Sequence, residues 1–536
     1  MQGWNAWRTI GARATPCRCA TVCGEELLLP GLTLHQRVRA LDAARLRGMK
    51  RGIEKEGLRV SPGGALARTP HPKALGSALT HPHITTDFSE SQLELVTGVH
   101  DRVEACLHEL TTIHRAVLQS LDTECMWAAS MPGQLPPDAD IPIGHYGTSN
   151  VGLAKRVYRL GLSHRYGSRM QTISGIHYNW SFPEASSADY FALIRNFRRH
   201  SFLLLYLFGA SPAVTSTFAE GQPHGLETLS ADTLYLPYAT SLRMGRLGYQ
   251  SDAQSALRVS YNDLDGYANS LHEALTVPYP PYEAIGIRDG QGGYRQLDTS
   301  LLQIENEFYS TIRPKRVIRS GERPLHALRE RGVEYVEVRC MDVNPFLPVG
   351  IDEHTARVLD VFLLHAMLSD SPPDSPDEIR TLQANQLLTA SRGREPGLML
   401  TRDGQPVALH DWGLALLDDG VAVAEALDEA HGGDAYQAAW AQARRDFLLP
   451  EQLPSARVLE AIRSQHGGRF DAFALACSCG IKQTMLQTPL PEPERAACAA
   501  QAQASLERQA QLEASDTLDF ETFRLAYLSP TGLTVD

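Results

Sequence analysis

The stretch GIEKEGLRV, residues 52 to 60, reads as a strand, and its two-residue period places Glu54 and Glu56 on one face before SPGG ends it in a turn. SQLELVTGV (91–99) alternates more plainly, with Leu93 and Leu95 facing one way and Gln92, Glu94 and Val96 the other. QTISGIHYNWSF, LLQIENEFY and VEYVEVRCMDV are further strand candidates, carrying His177, Glu305, Glu307 and Glu337; the last two bring Tyr309 and Arg339 onto the faces of Glu307 and Glu337. A surface helix is expected over 34–51, helices over 101–121 and in GTSNVGLAKRVYRLGLSHRYG, and a buried helix over 352–370. GIRDGQGGYRQLD (286–298) reads as a hairpin. From about 425 the chain becomes rich in Ala, Gln, Glu and Arg, favouring helix. Together these elements predict an α+β fold, with antiparallel strands and a helical C-terminal section.

Composition narrows the function. The 536 residues are 43% hydrophobic, enough for a large core, and the formal charge of −12 excludes a general nucleic-acid binder. The longest apolar run, FLLLYLF at 202–208, is far short of the ~20 residues of a membrane helix. Nine cysteines in so long a chain do not form a secreted disulfide framework, so a cytoplasmic location is expected. Residues 1–31 are arginine-containing and acid-poor, and read as an N-terminal extension; a disordered leader, an upstream start codon and a transit peptide all stay open.

The acids carry the chemistry. An isolated Glu-x-Glu pair most simply faces water, but Glu94, Glu305, Glu307 and Glu337 occupy similar segments. Several carboxylates converging on one sheet face would suit hard divalent cations such as Mg2+. His177 could join them as a ligand or be a buried histidine bonded to backbone. TIRPKRVIRSGER supplies Arg313, Lys315, Arg316, Arg319 and Arg323, either a solvated basic loop or cations for phosphates. The chain has neither GxxxxGK[ST] nor GxSxG, and HELTTIH misses HExxH.

In order, GIEKEGLRV, ALGSALTHPHITTDFSESQLELVT, YGTSN, RYGSRMQTISGIHYNWSF, YLFGASPA, YLPYATSLRM, LQIENEFYSTIRPKR and GVEYVEVRCMDVNPF closely resemble the glutamate–cysteine ligases of gammaproteobacteria, over about residues 35–525. The resemblance implies a glutamine synthetase-like antiparallel sheet forming a funnel-shaped active site. It also implies the first step of glutathione synthesis, in which ATP, L-glutamate and L-cysteine give gamma-glutamylcysteine through a gamma-glutamyl phosphate.

By the same resemblance, Glu54, Glu56, Asp87, Glu94, His177 and Glu337 are implied metal ligands for Mg2+ or Mn2+, with an amino-group role open for Asp87. Arg339 is the implied catalytic residue, joined by Arg243 on glutamate or the phosphoryl group. Phe88, Tyr158, Leu162, Gln171, Tyr249 and Tyr309 are implied to line the cysteine pocket, and Arg313 and Lys315 the nucleotide side. A monomeric catalytic unit over 32–525, a tail over 526–536 and glutathione as feedback inhibitor complete the expectation. Where the family commonly has Arg and Thr, this chain has Lys55 and Gly57, both facing away from the acids by parity. A ligase joining glutamate to another amine and a non-catalytic amino-acid-binding regulator are the alternatives.

Overall fold

Parity along one long strand organises the molecule. In the computed structural model, which describes residues 31–248, 252–255, 257–319 and 321–533, β1 runs from Lys50 to Val60. The extension before Gly31, and Tyr249, lie outside the described residues. With β2 (Ile84–Thr86), β3 (Gln92–Val96), β4 (Cys125–Met126), β5 (Ile176–Ser181), β6 (Ile312–Lys315) and β7 (Tyr335–Met341), β1 builds a seven-stranded antiparallel sheet. Its order is β2–β3–β1–β5–β7–β6, with β4 paired to the far end of β1.

One face of this sheet is apolar and the other acidic. Ile53, Leu93, Leu95, Ile176, Tyr178, Trp180, Val336 and Val338 share one parity and are all buried in the main core. They pack with three helices, α1 (Val103–Ser120), α3 (Ser187–His200) and α4 (Glu353–Leu368). Each such side chain withdrawn from water contributes about 1.5–3 kcal/mol, so the face that turns inward is strongly determined. The opposite parity therefore sends Glu54, Glu56, Glu94, His177, Glu337 and Arg339 to the other side, beneath α2 (Asn150–Tyr166).

A buried charge network fixes the inward face of β1 against α4. Arg51 Nη2 lies 3.0 Å from Asp360 Oδ2, both almost fully buried, and the Tyr178 and Tyr436 hydroxyls donate to the same carboxylate at 2.8 and 3.2 Å. Lys55 is also buried on this face, and Gly57 sits where a Cβ would come within 2.9 Å of Met126 Cε, so both departures point away from the acids.

Several local expectations change. The single helix over 34–51 is two helices, Leu34–Ala40 and Ala43–Arg47, because Asp42 caps the second by accepting from Arg45 N at 2.8 Å. LLQIENEFY is no strand: Glu305–Glu307 form a 3-10 turn. The 286–298 hairpin reduces to one bridge, Arg288 to Tyr294. At the C-terminus the helices continue through Phe520–Leu528, and Leu533 is buried. Among the described residues no helix is long and apolar enough to cross a membrane.

Asp360→Ala removes the only carboxylate in that network and strands the Arg51 guanidinium in the core. We expect a loss of about 3–5 kcal/mol of unfolding free energy in urea titration, against under 1 kcal/mol if the pair contributed only as a surface bridge would.

Candidate active site

Cross-strand register brings the acids together. Glu54 stands opposite His177 on β5, Glu56 opposite Glu94 on β3, and Glu337 opposite Asn179. Glu54 accepts from Asn179 Nδ2 at 3.0 Å, and its other oxygen lies 3.2 Å from His177 Nδ1. Glu56 accepts the Gly175 N–H at 2.7 Å and lies 3.7 Å from His177 Nε2. The six implied ligands, with Asp87 on the β2–β3 connection, all line one cavity of about 140 Å³.

Charge divides this row in two. Towards β7, Glu337 meets Lys315 at 3.1 Å, Arg339 at 3.0 Å and Arg313 at 3.9 Å, and despite burial these cations hold its carboxyl well below the usual range. Burial raises Glu54, but the His177 hydrogen bond and the Lys315 charge outweigh it, so it too sits below its ordinary value. Towards β3 the balance reverses. Burial and the Asp87 charge push Glu56 up to about 8, and burial with Glu54, Asp87 and Glu56 pushes Glu94 well above the carboxylate range. His177 is lowered by burial and by Arg339, which keeps the imidazole neutral and able to ligate.

This donor set fits divalent cations. One donor atom each from Glu54, His177 and Glu337 lies within 4.8 Å of the others, and Glu56 and Glu94 beside them are short of positive charge. Carboxylate oxygens with a single imidazole nitrogen suit Mg2+ or Mn2+.

Phe88, Tyr158, Leu162, Gln171 and Tyr309 line the same cavity, and Gln171 Nε2 donates to the Tyr309 hydroxyl at 2.9 Å. Arg243 is placed differently. Its guanidinium lies behind the cavity wall, donating to the Arg339 carbonyl at 2.8 Å, and occupies the space a Cβ on residue 175 would need, which is why Gly175 stands there. It lines a neighbouring cavity of about 160 Å³ that shares Tyr309 and Arg339 with the first.

The basic segment splits. Arg313 and Lys315 face the acids from β6, whereas Arg316 donates to the Arg331 carbonyl, Arg319 lies on the surface near Glu330, and Arg323 clamps Glu305 at 2.8 Å. Glu307 is likewise internal, accepting from Arg165 at 3.0 Å and from Tyr166 at 2.8 Å. Neither Glu305 nor Glu307 lines the acidic cavity. Sequence reasoning missed Lys155 and Arg159, whose signal was their i, i+4 spacing on the helix that also supplies Tyr158 and Leu162.

Comparison with known proteins bears on the family and the fold. A family model described as glutamate-cysteine ligase matches residues 35–389. The glutamate–cysteine ligase of Bordetella parapertussis is 50% identical over 511 residues, covering 92% of this chain and 96% of its own. That of Azotobacter vinelandii is 50% identical over 504 residues, covering 90% and 94%. A crystal structure of the Francisella tularensis glutamate–cysteine ligase in complex with AMP superposes with a TM-score of 0.85 at 38% identity, over 90% of this chain and 97% of that one. The α+β architecture, with its glutamine synthetase-like antiparallel sheet, is thus shared along nearly the full length, and the chain belongs to the glutamate–cysteine ligase family.

Proposed function

We propose that the acidic face of the sheet carries out the ATP-dependent joining of the L-glutamate gamma-carboxylate to the L-cysteine amine, giving gamma-glutamylcysteine, ADP and phosphate, the first step of glutathione synthesis. The observation that carries this reading is the row Glu94, Glu56, Glu54, His177 and Glu337 on one buried sheet face, with Arg313, Lys315 and Arg339 at its β6–β7 end. Bound Mg2+ or Mn2+ would supply positive charge to phosphate oxygens.

The chain's own residues account for the remaining work. A glutamate gamma-carboxylate oxygen attacks the terminal phosphorus of ATP and ADP departs, leaving an acyl phosphate; charge on the transferred group falls to the Arg339 guanidinium. Glu337 holds that guanidinium by a 3.0 Å contact with Nη1. The cysteine amine, in its neutral form, then attacks the acyl carbon as the bond from that carbon to the phosphate oxygen breaks, and the proton the amine loses leaves with the departing phosphate. Asp87, on the cavity wall beside Phe88, would join Glu56 and Glu94 in holding a metal ion. The surrounding Phe88, Tyr158, Leu162 and Tyr309 limit the water that would hydrolyse the acyl phosphate.

ATP-dependent phosphate release with glutamate should be strongest with cysteine; a preference for ammonia over cysteine would reject this acceptor. Glu54→Gln keeps the shape and removes one anionic oxygen donor. It should lower kcat about 10²-fold and raise the Mg2+ concentration for half-maximal rate, with thermal unfolding nearly unchanged. Normal turnover with an unaltered Mg2+ requirement would remove Glu54 from the metal site. Arg339→Lys keeps the charge and loses the fork, so kcat should fall at least about tenfold with little change in the cysteine KM; wild-type kinetics would dismiss the role given to Arg339.

A further inference from the structure

Two thiols from distant parts of the chain meet outside the acidic cavity. Of the six free cysteines among the described residues, Cys125 lies on β4 and Cys479 on α5 (Phe470–Gln487), in the helical C-terminal section. Their Sγ atoms are 3.9 Å apart, although the residues stand 354 positions apart in sequence.

The contact is held from both sides. Ser478 Oγ accepts from the Ala128 N–H at 2.9 Å, and Lys482 Nζ donates to the Leu121, Asp122 and Glu124 carbonyls at 2.6, 2.9 and 2.6 Å. These bonds tie α5 to the segment 121–128, so the facing of the two thiols is set by backbone placement and not by one side-chain rotation. The sulfurs of a disulfide are about 2.05 Å apart, so closing the 3.9 Å gap asks each Sγ to move by about 0.9 Å, within the reach of small χ1 changes.

The two thiols differ in access. Cys479 is exposed, whereas Cys125 is buried. Burial, with Cys479 beside it, pushes the Cys125 thiol up to about 11, and the Lys482 ammonium works against that rise. An exposed sulfur that an oxidant can reach, backed by a buried one that faces it, is the arrangement of an attacking and a resolving cysteine. Neither lines the acidic cavity or its neighbour. Cys125 instead pairs with Val60 at the far end of β1, the strand that carries Glu54 and Glu56.

We propose that Cys125 and Cys479 form a reversible modification site, at which a low-molecular-weight disulfide oxidises them to an intramolecular bridge stapling the C-terminal helical section to the end of β1. The Cys479 thiolate attacks one sulfur of the small disulfide, whose S–S bond breaks to release the first small thiolate. The Cys125 thiolate then attacks Cys479 Sγ, the mixed disulfide breaks, and the second small thiolate departs. The two protein sulfurs lose two electrons to the small disulfide, and the two protein thiol protons end on the two small thiols. The bridge braces one end of β1 and leaves its acids in place.

Oxidised glutathione is the probe. Incubated with the whole chain, it should yield non-reducing peptide mass spectra in which the Cys125 and Cys479 peptides are joined with the loss of two hydrogens, and dithiothreitol should separate them. The unfolding midpoint of the oxidised protein should rise by about 2–6 °C, the shift expected for closing so long a loop in a chain of this size, and fall back on reduction. Cys125→Ala should stop at the mixed disulfide, with one glutathione retained on Cys479. Cys479→Ser should give neither the bridge nor the rise in midpoint, and its exposed position keeps the comparison open should Cys125→Ala fail to fold. The absence of the joined peptide in the wild type, a stable glutathione adduct on Cys479 beside an unreacted Cys125, or a joined peptide with no rise in midpoint each overturns the proposal.

Discussion

Mutual repulsion of carboxylates on one buried sheet face is the constraint around which this protein is built. Glu54, Glu56, Glu94 and Glu337 cannot all be ionised in so small a space without positive charge among them. The fold supplies part of that charge itself, through Lys315, Arg313 and Arg339 on Glu337, and leaves Glu56 and Glu94 undercompensated. A site with this imbalance is poised for divalent cations and for a substrate that arrives with them. The opposite face holds the strain. Leucine, isoleucine, valine and aromatic residues of the other parity, with the Arg51–Asp360 network, fix each strand so firmly that no slip can relieve the acids.

The register also answers a question the linear sequence leaves open. Glu54 and Glu56 share a face and flank His177 from its two ring nitrogens, but their other partners differ. Glu54 belongs with His177 and Glu337 on the β5–β7 side, whereas Glu56 belongs with Glu94 and Asp87 on the β3 side. The two glutamates of one strand thus look to different sides of the cavity, Glu54 to Asn179 and Glu337, and Glu56 to Glu94 and Asp87.

What was legible in the sequence followed from parity and spacing. The faces of β1, β3, β5 and β7 could be assigned by alternation, since a two-residue period survives any tertiary detail. LLQIENEFY failed the same test because its acids are held by distant partners, Glu305 by Arg323 and Glu307 by Arg165 and Tyr166, and alternation carries no trace of such contacts. The break after Leu41 was legible through Asp42 as a helix cap and was passed over. Arg243 and the basic segment show the limit of composition: five cations read as one group divide between the cavity, a helix end, the surface and a buried clamp. Lys155 and Arg159 carry a signal in their i, i+4 spacing on α2, but that they are buried in the lining of the cavity is a three-dimensional property.

The central claim is that the acidic sheet face holds a cluster of divalent cations with the nucleotide. Electron paramagnetic resonance of Mn2+ titrated into the protein with a non-hydrolysable ATP analogue tests it most directly. The account predicts more than one Mn2+ bound per chain, with the dipolar broadening of ions a few ångströms apart. A single Mn2+ with the uncoupled spectrum of the free nucleotide complex would contradict it.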